Sequence, residues 1–386
     1  MNIHFIGVGK MGLPMALHLQ AAGHHLTASD TDPAQQRIAT AAGLRVLPAE
    51  WSETRSAMAN AELVFSSLPD DAALLAVAQQ IAAGARPGAV WVETSTVSPQ
   101  ASAQAGQQCD ERGVLHLRAS VSGNNHMAQA AQLTVLASGP RSAFEFALPA
   151  LKLLGPYQFY LGAAEESRMM KLVLNLMIAQ TSAMLAEGLT LGQAGGLDWR
   201  DMWQVIAASP LASPIVKAKG QQLMARDYTP TFTVPQMIKD LDLIVAAAAS
   251  HHAPVPQTAA TLQQMHAAIA QGDGALDYAS IIRVQQRGAG LATELAAARA
   301  TKPPEPAHES AHRPAHDQPR EQPYARKHEH AAEPSHTDAD SAFEDARASH
   351  PTMFESGFIV PLSPRPGTFA DSQNLRLWDD TVSARI

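Results

Sequence analysis

Cysteine is nearly missing: Cys109 is the only one in 386 residues. That excludes a disulfide framework and a thiolate metal cluster. A lone cysteine can be a nucleophile, but in "AGQQCDERG" it reads as an ordinary helix residue. A basic excess is missing too. Lys and Arg number 28 against 36 Asp and Glu, a formal net charge of −8, so no general nucleic-acid surface is expected. No uncharged apolar run reaches the roughly 20 residues of a membrane span. The opening "MNIHFIGVGKMG" has no basic n-region, and glycines break its apolar run, unlike a secretory signal. The expectation is a cytoplasmic protein with no membrane and no nucleic-acid partner.

Hydrophobic residues make up 46% of the chain, enough for real cores, and the length suggests two or more domains. The 26 prolines cluster late. Over residues 1–162, short apolar runs such as "IHFIGVG", "HHLTASD", "ELVFSSLP", "AVWVETST", "VLHLRASVSG" and "LTVLASG" alternate with Ala-rich amphipathic segments. This spacing predicts βαβ units, hence an α/β Rossmann domain with a doubly wound, mostly parallel sheet. Strand signals stop after Gly162. Residues 163–298 read as an all-helical domain, opening with a long helix from Glu166 to Ala194 and closing with "YASIIRVQQRGAGLATELAAARA". Residues 299–386 form a Pro-, His- and charge-rich tail with no apolar period, expected to be disordered because it cannot bury enough surface to offset its ordering entropy. Seven of the sixteen histidines fall in residues 301–350. His308, His312 and His316 have helical metal-ligand spacing, but the prolines between them argue against a helix, and no metal site is expected.

"FIGVGKMG" sets Gly7, Gly9 and Gly12 in G-x-G-x-x-G spacing, with Lys10 and Met11 between them. It follows an apolar strand and opens a helix, so the glycines permit a tight turn and the helix N-terminus favours a pyrophosphate. Asp30 ends the second strand, where a carboxylate binds ribose hydroxyls and repels a 2′-phosphate. No Arg follows in "DTDP", so NAD is favoured over NADP. A Rossmann-like turn without cofactor, and a capping role for Asp30, are the plainer alternatives.

The segment "MMKLVLNLMIAQTSAM" is nearly all apolar yet carries Lys171 and, one turn on, Asn175. Burying an ammonium costs several kcal/mol unless it is compensated. On this helix alone, Lys171 reads as a lysine whose stem covers apolar surface. Five motifs in order change that reading: "GVGKMGLPMALHL"; "SSLPDD" with "VETSTVSP"; "SVSGNNHMAQAAQLTVLASGP"; "KLVLN"; and "FTVPQMIKDLDL". Together the chain resembles the β-hydroxyacid dehydrogenases over about residues 1–295.

The resemblance implies roles by position. Leu68, Pro69 and Thr96 would line the nicotinamide side of the cofactor. Ser122 and Gly123 would bind the substrate carboxylate, Lys171 would be catalytic, and Asn175 would bind substrate beside it. Phe232, Lys239 and Asp240 would close the site, with Lys239 near the cofactor. The implied reaction is hydride transfer between nicotinamide and a small 3-hydroxy acid or its semialdehyde, such as 3-hydroxyisobutyrate or tartronate semialdehyde, in a homodimer or homotetramer. It needs one positioned acid/base group and no metal. The chain departs from the family pattern at Ser120, usually Pro; at Asn124, usually Gly; at Glu165 and Ser167, often Gly; and at Leu174, often a second Asn. Asn124, Asn125 and His126 could add polar substrate contacts or simply face solvent. Three alternatives remain: an imine reductase, a 6-phosphogluconate-type dehydrogenase, or a non-catalytic, cofactor-gated interaction module.

Overall fold

The computed structural model describes residues 1–48 and 51–291, which all belong to one compact unit. The expected tail over 299–386, its histidines and the last residues of the expected helical domain lie outside the described residues. The first part runs β1 (Asn2–Ile6), α1 (Gly12–Ala21), β2 (His25–Ser29), α2 (Pro33–Ala41), α3 (Trp51–Asn60), β3 (Leu63–Ser66), α4 (Asp71–Gly84) and β4 (Val90–Glu93). It continues with α5 (Pro99–Asp110), β5 (Leu115–Ser122), α6 (Asn125–Gln129), β6 (Thr134–Ser138), α7 (Arg141–Leu151) and β7 (Tyr157–Tyr160). The strands form one sheet in the order β2-β1-β3-β4-β5-β6-β7. All pairings are parallel except β5 with β6.

The local reasons are visible in the sequence. β3 and β4, "LVFS" and "VWVE", are buried at every residue, as central strands covered on both faces must be. Helices start where a short polar side chain can accept from the first-turn amides: Asp32 for α2, Asp70 for α4 and Ser98 for α5. The parallel strands β1 to β4 end on one edge, so the loops after Ile6, Ser29, Ser66 and Glu93 gather there, the usual ligand edge of such sheets. β5 faces Glu93 with Arg118 and runs on to Ser122, four residues further past that edge.

The helical part comprises α8 (Glu166–Ala194), α9 (Trp199–Ala208), α10 (Pro214–Met224), α11 (Val234–Ser250), α12 (Pro256–Ala270), a 3₁₀ turn (Tyr278–Ser280) and α13 (Ile281–Gly288). α8 has the bounds expected from sequence. By length and composition it is also apolar enough to cross a membrane. Here it is the shared core helix, packing on β5 and β6 at one end and on α11, α12 and α13 along its length. Val173, Met177, Met184 and Leu191 stay exposed along it. α11 begins with a full capping box between Thr233 and Gln236.

Two expectations are corrected. A seventh strand, β7, joins the edge of the sheet; its "YQFY" leaves Tyr157 and Phe159 exposed, so it carries no buried apolar run to announce it. The helix expected from Tyr278 to residue 300 opens as a 3₁₀ turn and stops at Gly288, with Gly290 in the left-handed region at φ +69°.

Candidate active site

The glycine loop separates three jobs. A Cβ on Gly7 would lie 2.3 Å from the Ser67 carbonyl oxygen, and one on Gly12 only 1.9 Å from that of Gly7. These two glycines let backbone pack on backbone. A Cβ on Gly9 would meet nothing within 4 Å. Its open side therefore lies beside the first turn of α1, whose N-cap residue, Met11, makes no side-chain cap. A helix start without a side-chain cap fits the pyrophosphate of a dinucleotide. Lys10 is exposed beside them. Asp30 accepts from the Val8 N–H at 2.8 Å and from the Asp32 N–H at 2.9 Å. Its carboxylate thus ties the loop to the end of β2.

The second half of the site is built on α8 and α11. Lys171 is half-buried and Asn175 buried, one turn apart. Asn175 Nδ2 donates to Asp240 Oδ2 at 2.6 Å. The other carboxylate oxygen of Asp240 lies 3.1 Å from Lys239 Nζ, and that ammonium donates to the Thr96 carbonyl at 2.7 Å. Asp240 is only 1% exposed. Its two oxygens are turned to Asn175 and Lys239, so the carboxylate links α8 to the Lys239 ammonium. Burial pushes the Lys171 ammonium below the ordinary lysine range; Asp240 opposes this and Lys239 adds to it.

The remaining residues named from sequence lie on other loops, after β3, β4 and β5 and before α11. Leu68 donates its N–H to Ser95 Oγ at 2.7 Å, with Pro69 exposed beside it. A cleft of about 430 Å³ opens between Asp70, Asp71 and Thr96 on the sheet side and Pro235, Lys239 and Asp242 on α11. Ser122 is half-buried at the end of β5, and Gly123 sits at φ +138°, where a Cβ would lie 2.7 Å from Leu133. Asn124 is spent as the cap of α6, accepting from the Met127 N–H at 3.0 Å, and His126 is exposed. Phe232 packs edge-on against Tyr278, on a loop held by Asp277. Asp277 in turn pairs with Lys219 at 2.6 Å.

Sequence reasoning missed a buried ion pair beneath Lys171. Arg168, on the first turn of α8, meets Glu93 at the end of β4, and both are shut from solvent. The signal was available: Glu in "VWVE" and Arg in an apolar helix are each untenable alone, and opposite buried charges find one another.

Two family models match the chain. One is described as the NAD binding domain of 6-phosphogluconate dehydrogenase and covers residues 2–162. The other, the NAD-binding region of NADP-dependent 3-hydroxyisobutyrate dehydrogenase, covers residues 166–285. The chain is 30% identical to L-threonate dehydrogenase of Cupriavidus necator, over 73% of this chain and 95% of that one. The chain belongs to the β-hydroxyacid dehydrogenase family. Within this family it is also 29% identical to 2-(hydroxymethyl)glutarate dehydrogenase of Eubacterium barkeri, over 75% of this chain and 96% of that one. A solved 3-hydroxyisobutyrate dehydrogenase of Mycobacterium tuberculosis, determined with L-serine, superposes with a TM-score of 0.68 at 27% identity, covering 74% of this chain and 98% of that one. β-Hydroxyacid dehydrogenases of this kind are NAD(P)-dependent oxidoreductases acting on CH–OH groups.

Proposed function

We propose that this chain interconverts a small 3-hydroxy acid and its semialdehyde, with Lys171 as the general acid/base and NAD as the preferred cofactor. The observation that carries this reading is the half-buried Lys171, one turn from Asn175, which bonds the Asp240 of the Lys239–Asp240 pair on α11. Bound nicotinamide supplies or accepts the hydride. The chain's own residues manage the proton and the carboxylate. In reduction, the Lys171 ammonium polarises the carbonyl oxygen and gives it a proton; in oxidation, the neutral amine takes the hydroxyl proton. Asn175 gives one N–H to Asp240. Its other N–H and its carbonyl oxygen can hold the substrate oxygen without adding charge. The Ser122 hydroxyl and the Gly123 N–H offer donors to the carboxylate.

The relatives' names share a carboxylate and a hydroxyl on a small carbon chain, as does the L-serine of the solved neighbour. That supports a small hydroxy-acid substrate, with 3-hydroxyisobutyrate and tartronate semialdehyde first to try. Asp30 supports NAD over NADP by its negative charge. The exposed apolar residues of α8 support a dimer or tetramer. The test follows reduced-nicotinamide absorbance across semialdehydes and hydroxy acids, with wild type and Lys171→Ala. Turnover lost in the variant with cofactor binding kept is the expected result. Tight cofactor binding with no turnover on any substrate would favour the non-catalytic module instead.

A further inference from the structure

We propose that Arg168 is a positioning residue that sets where the Lys171 turn of α8 stands against the loops on the nicotinamide side. The inference rests on Lys171 being the acid/base group.

Arg168 lies three residues before Lys171 and is 1% exposed. Its guanidinium spreads its donors over four separate pieces of the sheet domain. Nε donates to Ser102 Oγ on α5 at 3.1 Å. Nη1 donates to the Ser95 carbonyl, after β4, at 3.0 Å and to Ser120 Oγ on β5 at 3.0 Å. Nη2 meets the Glu93 carboxylate at the end of β4. The planar fork fixes all four directions at once, which a lysine could not do.

The Ser95 carbonyl makes this clamp matter for the site. Ser95 Oγ holds the Leu68 N–H at 2.7 Å. The next carbonyl along, that of Thr96, holds Lys239 at 2.7 Å. Consecutive peptides of one loop therefore grip α8 through Arg168 and α11 through Lys239, while the same loop steadies Leu68. Lys171 and the Lys239–Asp240 pair share one reference point.

The clamp also accounts for two departures from the family pattern. Ser120 stands where the resemblance implies Pro, and Ser167 where it implies Gly. They touch each other: Ser167 Oγ lies 3.1 Å from Ser120 Oγ, accepts from the Ser120 N–H at 3.2 Å and donates to the Leu136 carbonyl at 2.6 Å. A proline at 120 would remove both the N–H used by Ser167 and the hydroxyl used by Arg168. A glycine at 167 would leave that N–H without its acceptor. The two serines form a matched set around the guanidinium. A buried ion pair contributes little stability that apolar side chains of similar volume would not, so what these charges add is fixed geometry.

The experiment uses the full chain with its cofactor and the best substrate of the panel. Arg168→Lys keeps the charge and loses the fork. Expected are a kcat roughly ten- to a hundredfold lower, the scale of a small misplacement at a reacting centre, with KM and cofactor Kd within about twofold. The basic limb of the pH profile should also move up towards the ordinary lysine range, because a loosened Lys171 regains water. Ser120→Ala, which removes one acceptor of Nη1 and the hydroxyl beside Ser167, should shift both readouts in the same direction by less, and it serves where Arg168→Lys does not fold. A folded Arg168→Lys or Ser120→Ala that loses thermal stability while keeping kcat and the pH limb would make the clamp merely structural and overturn the inference. Lys171→Ala separates the two readings. If it retains turnover, the acid/base assignment fails and the inference with it. If it is dead while both clamp variants turn over normally, only the inference fails.

Discussion

Asn175 and Asp240 meet at 2.6 Å across two helices that are 65 residues apart in sequence at this point. A carboxylate only accepts, so the contact fixes which end of the Asn175 amide is the donor. The same carboxylate lies close enough to Lys171 to raise the affinity of that amine for its proton, against the effects of burial and of Lys239.

The balance predicts the pH profile of reduction. Activity needs the ammonium, so it declines as pH rises through a value below the ordinary 10.5 of lysine. Asp240→Asn removes the attraction and moves this limb to lower pH. Lys239→Gln removes a repulsion and moves it up. The check is kcat against pH for the three proteins; a limb that stays put in both variants sinks Lys171 as the titrating group.

The glycine loop predicts effects on different readouts at two glycines three residues apart. Gly9→Ala adds a methyl to open space, so the thermal midpoint should hold while cofactor Kd rises about tenfold or more, roughly 1.4 kcal/mol. Gly12→Ala drives its Cβ onto the Gly7 carbonyl and should cost about 1–3 kcal/mol of stability or more. Calorimetry and cofactor titration on the two variants settle it; weakened stability in Gly9→Ala with cofactor affinity unchanged would reverse the assignment.

What the sequence made legible divides by range. The glycine loop, the bounds of α8 and the Lys171–Asn175 spacing depend on residues within a few positions of one another, and local patterns announce them. Arg168 and Glu93 lie 75 residues apart, and nothing local tells either which partner it will meet. The same holds for Asp240: "MIKDLDL" marks a helix face, but only packing brings its carboxylate to Asn175. β7 was invisible for another reason. Its side chains alternate between exposed and half-buried, so it lacks the buried run that marks the central strands.

Cofactor choice should turn on the charge of Asp30. Asp30→Asn keeps an acceptor for the Val8 N–H and removes the charge that would repel a 2′-phosphate. The ratio of kcat/KM with NAD to that with NADP should fall about tenfold, roughly 1.4 kcal/mol of discrimination. Steady-state kinetics with both cofactors measures it. A ratio unchanged in a folded variant would leave Asp30 as a purely structural tie between the loop and β2.

Acid stability should depend on a histidine far from the chemistry. His4, in the middle of β1, is fully buried between Thr27 Oγ1 at 2.9 Å and Ser29 Oγ at 3.1 Å. Burial pushes its pKa down from 6.5 to about 4. The folded protein therefore holds the ring neutral, while the unfolded chain takes up a proton below 6.5. The associated stability is complete above that pH and is lost as pH falls towards 4, in total about 3 kcal/mol at 1.36 kcal/mol per unit. His4→Gln removes the titration. Its urea midpoint should fall less than that of the wild type between pH 7 and pH 4.5, whatever its stability at neutral pH. Parallel losses in the two proteins would mean that His4 is not the group that couples this fold to acid.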